Sequence, residues 1–236
     1  MMLSDKQTDE KNEGVECAVN DPSDVTQKDG FSVVNYGNVK IACISIIGQI
    51  EGHYKLPADN KTTCYEHLIP LLVAVECDKS IDGLLVLLNT VGGDVEAGLA
   101  IAELIAGMKK PVVSLVLGGA HSIGIPLAVA ADLSLVAKTA TLTVHPVRIN
   151  GTVLAVPQSF EILRDMQERI IEFVAEKSDI SAQRFRELMM NSDELTTDIG
   201  TVLGGDDAVK EGLLDEVSSL SGAFERLTEL IAKKKH

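Results

Sequence analysis

The chain has 236 residues, of which 45 % are apolar but only 3 % aromatic, and its formal net charge is −14. This length allows one domain with a sizeable core and an appendage. The acidic balance argues against a nucleic-acid partner, because phosphate binding requires a basic surface. A core of Val, Ile, Leu and Ala suits buried parallel strands covered by helices.

The cysteines do not follow a metal-binding pattern. They form no C-x-x-C pair, and no His stands at ligand spacing from them, so structural zinc is not expected. The four residues are Cys17, Cys43, Cys64 and Cys77. We predict reduced thiols in a cytoplasmic protein that holds no metal and no other cofactor. The sequence shows neither the pattern of a signal peptide nor an apolar run suited to a membrane span.

Residues 1–38 differ in composition from the rest of the chain. They are rich in Asp and Glu, contain few apolar residues and show no periodicity. Such a composition predicts a largely disordered, acidic extension. We therefore place the folded domain at residues 39–236, including a helix at its C-terminal end.

From residue 39 onward, short apolar runs alternate with helical patterns. The runs predict strands at 41–47, 83–88, 112–117, 133–136 and 141–144, and the patterns predict helices at 65–76 and 96–108 and a third helix that ends at 131. Alternation of strands and helices implies right-handed crossovers and a largely parallel sheet. The predicted fold class is therefore α/β.

The remaining third of the chain is mostly helical in pattern. It predicts helices at 158–176, 181–190 and 221–232, a polar loop at 193–206, a helical turn at 207–212 and an edge strand at 213–217. The first of these helices is long and amphipathic. Its apolar face consists of Phe160, Leu163, Met166, Ile170 and Val174.

Ser122 stands where a predicted buried strand gives way, through glycines, to a helix of small residues. Most serines in such a position are helix N-caps. The surrounding glycines and a second glycine turn after the neighbouring strand favour a nucleophile that projects beside free backbone amides. The motif G-x-S-x-G is approximated, with Ala120 in place of its first glycine.

Gly92 and Gly93 form that second glycine turn. A phosphate-binding loop is not expected, because the lysine of a P-loop is absent and Asp94 would repel phosphate. We expect instead that the N–H groups of Gly93 and Ile123 stabilise a developing oxyanion. One donor of this kind is typically worth about 3 kcal/mol in the transition state.

His145 directly follows a predicted strand and is the expected general base, because strand ends in a parallel sheet lie close together. His121 is its rival, but adjacent residues in a sharp turn generally point apart. The third member of a triad is a carboxylate that orients the imidazole. Asp198 is the preferred residue, and Asp193 and Asp206 remain alternatives.

Four motifs, in this order, resemble those of the Clp protease proteolytic subunit (ClpP) family. Residues 89–98, N-T-V-G-G-D-V-E-A-G, resemble N-S-P-G-G-x-x-x-A-G, and residues 119–124, G-A-H-S-I-G, resemble G-Q-A-A-S-M-G. Residues 144–146, V-H-P, resemble M-I-H-Q-P, and residues 208–215, A-V-K-E-G-L-L-D, resemble A-x-x-Y-G-L-V-D. Within the family, the chain is most similar to the Clp-like translocation-enhancing subgroup of spore-forming bacteria.

The resemblance implies a ClpP/crotonase-like spiral of βαβ units, with the long amphipathic helix as a protruding handle. It implies that Ser122 is the nucleophile, His145 the base and Asp198 the orienting acid, with Gly93 and Ile123 as the oxyanion hole. It also implies a homo-oligomeric ring that hydrolyses peptides or unfolded proteins. The acidic extension stands where the family places its ATPase-docking loops, so docking of a Clp-type ATPase does not follow from the resemblance.

Two other functions are compatible with these motifs. A crotonase-like acyl-CoA hydratase or isomerase also directs backbone amides at an oxyanion but needs no Ser–His pair. A non-catalytic ClpP-like scaffold would keep the ring and lose the triad. Departures from the family pattern, such as Pro146 in place of Gln after the histidine, leave both alternatives open.

Overall fold

A computed structural model of the chain describes residues 17–19, 30–149, 155–192 and 199–234. The strands are β1 (Cys17–Val19), β2 (Phe31–Tyr36), β3 (Val39–Glu51), β4 (Thr62–Cys64), β5 (Gly83–Gly93), β6 (Val112–Ala120), β7 (Leu133–Val136), β8 (Thr141–Val144), β9 (Thr201–Gly204) and β10 (Glu216–Val217). The helices are α1 (Tyr65–Cys77), α2 (Val95–Ala106), α3 (Gly124–Val129), α4 (Val156–Lys177), α5 (Ala182–Met189), α6 (Gly205–Lys210) and α7 (Leu220–Lys234).

The central sheet is parallel, as the alternation of strands and helices predicts. Strands β3, β5, β6, β7 and β10 lie side by side in the parallel direction. Strands β1 and β2 continue the sheet beyond β3 in the antiparallel direction. The short β8 branches from the end of β6 and pairs with β9. The α/β fold class is therefore confirmed, and it is consistent with the ClpP fold.

Both faces of the sheet are buried, which explains why its strands read as continuous apolar runs. Successive side chains of a strand point to opposite faces. Leu84 thus joins the core cluster under α1 and α2, whereas its neighbour Leu85 packs with Phe224 and Leu227 of α7. All four side chains are buried.

Strand β2 corrects the predicted boundary of the N-terminal extension. It pairs with β3 from Phe31↔Ile44 to Tyr36↔Val39, and β1 pairs with β2 in turn, so the disorder predicted through residue 38 is wrong for residues 17–19 and 31–36. The two strands are joined by Gly37-Asn38, and Gly37 has a φ of +58°, which is typical of a tight hairpin turn. Residues 1–16 and 20–29 lie outside the described residues, and the extension predicted there remains a prediction.

Strand β9 lies inside the predicted loop 193–206 and, like β1, β2 and β4, is an element that the sequence pattern does not predict. It is held by four antiparallel pairings with β8, from Thr141↔Gly204 to Val144↔Thr201. Residues 193–198 of the same loop lie outside the described residues.

Helix α4 is present where the long amphipathic helix is predicted. Its C-terminal half is buried through Ile170, Ile171 and Val174. Its N-terminal half carries exposed apolar side chains, with Phe160 at 66 % and Ile162 at 62 % of full exposure. The helix therefore anchors at one end and projects at the other.

Candidate active site

The C-terminal ends of β5 and β6 meet and build the candidate site. Strand β6 ends at Ala120, which pairs with Thr90 of β5. The chain then turns through His121, Ser122 and Ile123 before α3 begins. The site thus lies at the carboxyl ends of two adjacent parallel strands, where ligands of open α/β sheets usually bind.

Ser122 occupies the left-handed region of backbone space, with a φ of +57°. Helix α3 begins at Gly124, two residues after Ser122, and its cap position is Ile123, which makes no side-chain cap hydrogen bond. The Ser122 hydroxyl is therefore not a helix cap, and it has no hydrogen-bond partner among the described residues. A strained serine between a strand and a helix is the geometry of a nucleophile elbow.

Two backbone hydrogen bonds hold this strained residue. The Ser122 N–H donates to the Thr143 carbonyl at 2.9 Å, and the Ser122 carbonyl accepts from the Ile125 N–H at 3.0 Å. The first of these bonds ties the turn to β8, the strand that ends just before His145.

The glycine turn of β5 packs directly against Ser122. Gly92 has a φ of +85°, and a Cβ atom there would lie 2.8 Å from the Ser122 Cβ and 2.6 Å from the His121 carbonyl oxygen. Buried Thr90 shapes this turn, since its Oγ1 accepts from the Gly92 N–H at 3.0 Å and donates to the Gly48 carbonyl at 2.6 Å. Only glycine fits at position 92 without displacing the serine.

The two residues predicted to form the oxyanion hole lie in these adjoining turns. Gly93 has a φ of +152° and follows the glycine that touches Ser122. Ile123 follows Ser122, and its nitrogen would lie 3.4 Å from a Cβ atom at Gly92. Among the described residues, the Ile123 N–H donates to no backbone carbonyl. An N–H group without a backbone partner can donate a hydrogen bond to an oxygen on which negative charge develops.

Ser122 and His145 line the same cavity, which has a volume of about 90 Å³. Its wall is mostly apolar, and Arg148 joins His145 as a basic side chain. The remaining lining residues are Val95, Ile125, Val144, Val147, Ile170, Phe185 and Met189. The cavity suits an apolar group that is held next to the serine and the imidazole.

The imidazole of His145 has a defined orientation. Its Nδ1 lies 2.7 Å from the Pro146 carbonyl oxygen. Because a carbonyl can only accept a hydrogen bond, a neutral ring carries its proton on Nδ1. The lone pair is then on Nε2, the nitrogen that a general base uses in a serine hydrolase.

His121 is directed elsewhere. Its Nδ1 lies 2.8 Å from the Thr143 Oγ1, and it does not line the cavity that Ser122 and His145 share. Burial, and to a lesser extent the charge of nearby His145, hold the pKa of His121 below its usual value. The pair of contacts formed by Thr143 is the part of this site that sequence reasoning missed.

The candidates for the third position divide into two groups. Asp198 and Asp193 lie outside the described residues. Asp206 is exposed on α6, and the register of β8 and β9 places it after the Gly204 end of the ladder, opposite the end that His145 follows. Three residue steps along a strand span about 10 Å, so Asp206 is poorly placed to orient that ring.

Gly200 brings the chain that follows Asp198 against His145. A Cβ atom at Gly200 would lie 2.9 Å from the His145 Cβ, and the Gly200 N–H donates to the Asn191 carbonyl at 2.8 Å. The sequence carries no signal of this contact beyond the glycine itself, whose φ is +139°.

Neither a candidate metal-binding cluster nor a membrane-spanning helix is found in the described parts of the chain. In residues 17–19, 30–149, 155–192 and 199–234, no group of three or more His, Cys, Asp and Glu side chains could hold a metal ion. In the same ranges, no helix has the length and the apolar character needed to cross a bilayer.

Comparison with known proteins agrees with the motifs. The sequence model of the family described as Clp protease matches residues 41–220. The translocation-enhancing protein TepA of Halalkalibacterium halodurans is 60 % identical to the chain over 194 residues, which are 82 % of this chain and 76 % of that protein. Both the family resemblance and the similarity to the translocation-enhancing subgroup are thereby confirmed. The chain belongs to the Clp protease family.

Proposed function

We propose that the chain is a serine endopeptidase of the Clp type, with Ser122 as nucleophile, His145 as general base and Asp198 as the orienting acid. The observation that supports this most is the meeting of a strained serine and a histidine at one cavity, beside two glycine-shaped turns. Membership of the Clp protease family favours peptide hydrolysis over the crotonase-type reactions of acyl-CoA thioesters.

The reaction follows from these positions. The Ser122 oxygen attacks the carbonyl carbon of a peptide bond while its proton passes to the His145 Nε2. The negative oxygen of the tetrahedral intermediate accepts hydrogen bonds from the N–H groups of Gly93 and Ile123. The C–N bond then breaks, the leaving amine takes the proton from the imidazole, and water hydrolyses the acyl-enzyme by the same route.

Asp198 is proposed for the third role because of the contact between Gly200 and His145. Asp198 is two residues from Gly200, and two residues of extended chain span at most about 7 Å. A carboxylate at that position is within reach of the imidazole. To orient the ring, it would share or take over the Nδ1–H that the Pro146 carbonyl accepts, because a neutral ring with a free Nε2 has no other N–H.

The proposed substrates are peptides or already unfolded polypeptides, cleaved in the chamber of a homo-oligomeric ring. The apolar wall beside Ser122 suits an apolar side chain of the substrate. We place this ring in the cytoplasm, and whether a Clp-type ATPase delivers substrates to it is a separate question from the chemistry at Ser122.

A non-catalytic role is the second candidate. The name of the TepA relative associates that protein with translocation and does not mention hydrolysis. In a scaffold of this kind, the ring alone would support the function, and the Ser122 hydroxyl would have no nucleophilic character.

Labelling of the assembled protein with a fluorophosphonate probe separates the two candidates. We expect one label per chain, located on Ser122 by peptide mapping, strongly reduced in His145→Ala and absent in Ser122→Ala. The control is Ser80→Ala, which removes an exposed serine just before the N-terminal end of β5, the end opposite its glycine turn, and should label as the unchanged protein does. Absence of labelling in every assembly state of the unchanged protein would favour the scaffold.

A further inference from the structure

Thr143 contacts two residues of the turn that carries the proposed nucleophile, His121 and Ser122. Its carbonyl accepts a hydrogen bond from the Ser122 N–H at 2.9 Å, and its hydroxyl lies 2.8 Å from the His121 Nδ1. Thr143 stands two residues before His145, on the strand that carries the proposed base to the site. One residue of β8 therefore connects the turn of the nucleophile to the strand of the base.

The imidazole of His121 fits a space that its surroundings leave for it. A Cβ atom at Gly119 would overlap the His121 Nε2, so the ring lies where only glycine leaves room. The backbone of His121 is fixed as well, since its N–H donates to the Thr90 carbonyl at 3.1 Å and its carbonyl accepts from the Gly124 N–H at 2.9 Å.

This arrangement is a departure of this chain from the motif that it resembles. When the serines are aligned, Gly118 matches the first glycine of G-Q-A-A-S-M-G, and the motif has Ala at the position of His121 and Gln at the position of Gly119. The two departures are complementary, because the larger residue at 121 occupies the space that the smaller one at 119 opens. Steric complementarity of this kind indicates a defined role for the ring rather than a tolerated surface change.

Ser122 needs such support because its backbone is strained. A non-glycine residue in the left-handed region persists only where its surroundings hold it there. Apart from the His121 ring, the hydrogen bonds that the structure describes for His121 and Ser122 are all made by their backbone groups. The His121 ring adds a second attachment to the same residue of β8.

We propose that His121 and Thr143 form a positioning pair that fastens the strained Ser122 turn onto β8 and so sets the nucleophile against His145. Its effect on turnover rests on the proposed peptidase function, whereas the fastening itself does not. His121 is a positioning residue and not the base, because it does not line the reaction cavity. Burial, and to a lesser extent nearby His145, lower the pKa of His121, which favours the neutral form of the ring in this pair.

Two pairs of matched variants test the proposal in the full-length assembled protein. Thr143→Val keeps the shape and the backbone carbonyl but removes the hydroxyl, whereas Thr143→Ser keeps the hydroxyl. His121→Ala removes the ring, whereas His121→Asn places an amide near the position of the lost Nδ1. Peptide hydrolysis and the free energy of unfolding are measured for each single variant and for the double variant His121→Ala/Thr143→Val.

We expect Thr143→Val and His121→Ala each to lower kcat by about 10- to 100-fold with little change in KM, because small misplacements of a nucleophile cost rate rather than binding. Thr143→Ser and His121→Asn should recover most of the rate. The double variant should lose no more than the worse single variant in kcat, and the two losses in unfolding free energy should likewise be non-additive.

Two results would overturn the pair. The first is an active protein in which Thr143→Val turns over as the unchanged protein does, which would leave the peptidase function intact. The second is strict additivity of the two variants in unfolding. If the unchanged protein hydrolyses no peptide, the peptidase function fails, and the unfolding cycle still decides whether the turn is fastened as proposed.

Discussion

At the scale of single residues, the left-handed backbone of Ser122 is the most unusual feature of the proposed site. At a φ of +57°, the backbone of an L-residue is less stable by roughly 1–2 kcal/mol than in the right-handed region, whereas glycine adopts both regions about equally. The molecule accepts this cost in order to project a hydroxyl at that point. This strain is therefore measurable by comparing the stabilities of a glycine and an alanine variant at position 122.

The first prediction compares Ser122→Gly with Ser122→Ala. Both variants lack the hydroxyl and should be inactive, but glycine relieves the backbone strain that alanine keeps. We expect Ser122→Gly to be more stable than Ser122→Ala by about 1 kcal/mol, measured by denaturant unfolding. Equal stabilities would show that the turn relaxes to a negative φ once the hydroxyl is lost.

The second prediction concerns Gly92, where a Cβ atom would approach the carbonyl of His121 and the Cβ of Ser122 within 3 Å. Gly92→Ala should reduce hydrolysis at least about tenfold, because displacing the serine by a fraction of an ångström spoils its alignment. The control is Gly204→Ala, where the nearest atom to a new Cβ lies 3.9 Å away and hydrolysis should be unchanged. A fully active Gly92→Ala variant would contradict the described packing of the two turns.

At the scale of elements, the apolar runs and the small-residue turns made the parallel sheet predictable. Strands such as β5 and β6 are buried on both faces, so nearly all of their residues are apolar and the strands are recognisable as continuous apolar runs. β2, β4 and β9 were not predicted, because few of their side chains are fully buried and each strand depends on a partner strand for its identity. The local signal for β2 is the Gly37-Asn38 turn, which joins it to β3.

The residues of the site divide in the same way into those that a local pattern predicts and those that depend on a distant partner. Ser122 and His145 could be named from the ends of apolar runs, since strand ends are where a parallel sheet gathers reactive groups. The tie between His121 and Thr143 could not be named, because it joins residues 22 positions apart through the branch of β8 from β6. Pairing of that kind depends on topology rather than on local pattern.

The third prediction concerns the tie between α5 and α6. Arg184 donates from Nε and from one terminal nitrogen to both oxygens of Glu211, each at 2.8 Å. This hydrogen bonding holds the pKa of Glu211 below its ordinary value of 4.5. A carboxyl with a lowered pKa in the folded state contributes stability above its ordinary pKa and loses that contribution as the pH falls.

Glu211→Gln should therefore be less stable than the unchanged protein at pH 7, and the difference should shrink as the pH falls below about 4.5. Chemical unfolding across this pH range measures the effect. The control is Glu225→Gln, which removes the same charge from an exposed residue that makes no salt bridge within the described parts of the chain. A difference that grows toward acid pH would contradict the sign of the Glu211 shift.

At the scale of the whole molecule, the exposed half of α4 is the feature that a single chain leaves unsatisfied. Val156, Phe160 and Ile162 are each more than 60 % exposed, and all three lie in the first two turns of α4. Large apolar side chains grouped on a projecting helix are typical of a surface that is covered in an assembly. Ring formation is proposed from the family, and this surface is where its test belongs.

The fourth prediction is that Phe160→Glu shifts the assembly toward smaller species, because it places a charge where apolar contact is expected. Sedimentation velocity at several concentrations measures the distribution. Gln158→Glu adds the same charge to an exposed polar position of the same helix and should leave the distribution unchanged. Identical sedimentation of both variants and the unchanged protein would show that this half of α4 lies outside any contact.

The most direct test of the central claim is alkylation by a peptidyl chloromethyl ketone, a reagent that requires a nucleophilic serine and a histidine within reach of one bound carbonyl group. Applied to the assembled protein and read by peptide mapping, it should give one modification per chain, on the His145 Nε2, and none in Ser122→Ala. Modification of His121 in place of His145, or an equal yield on His145 without the Ser122 hydroxyl, would contradict the proposed pairing of nucleophile and base.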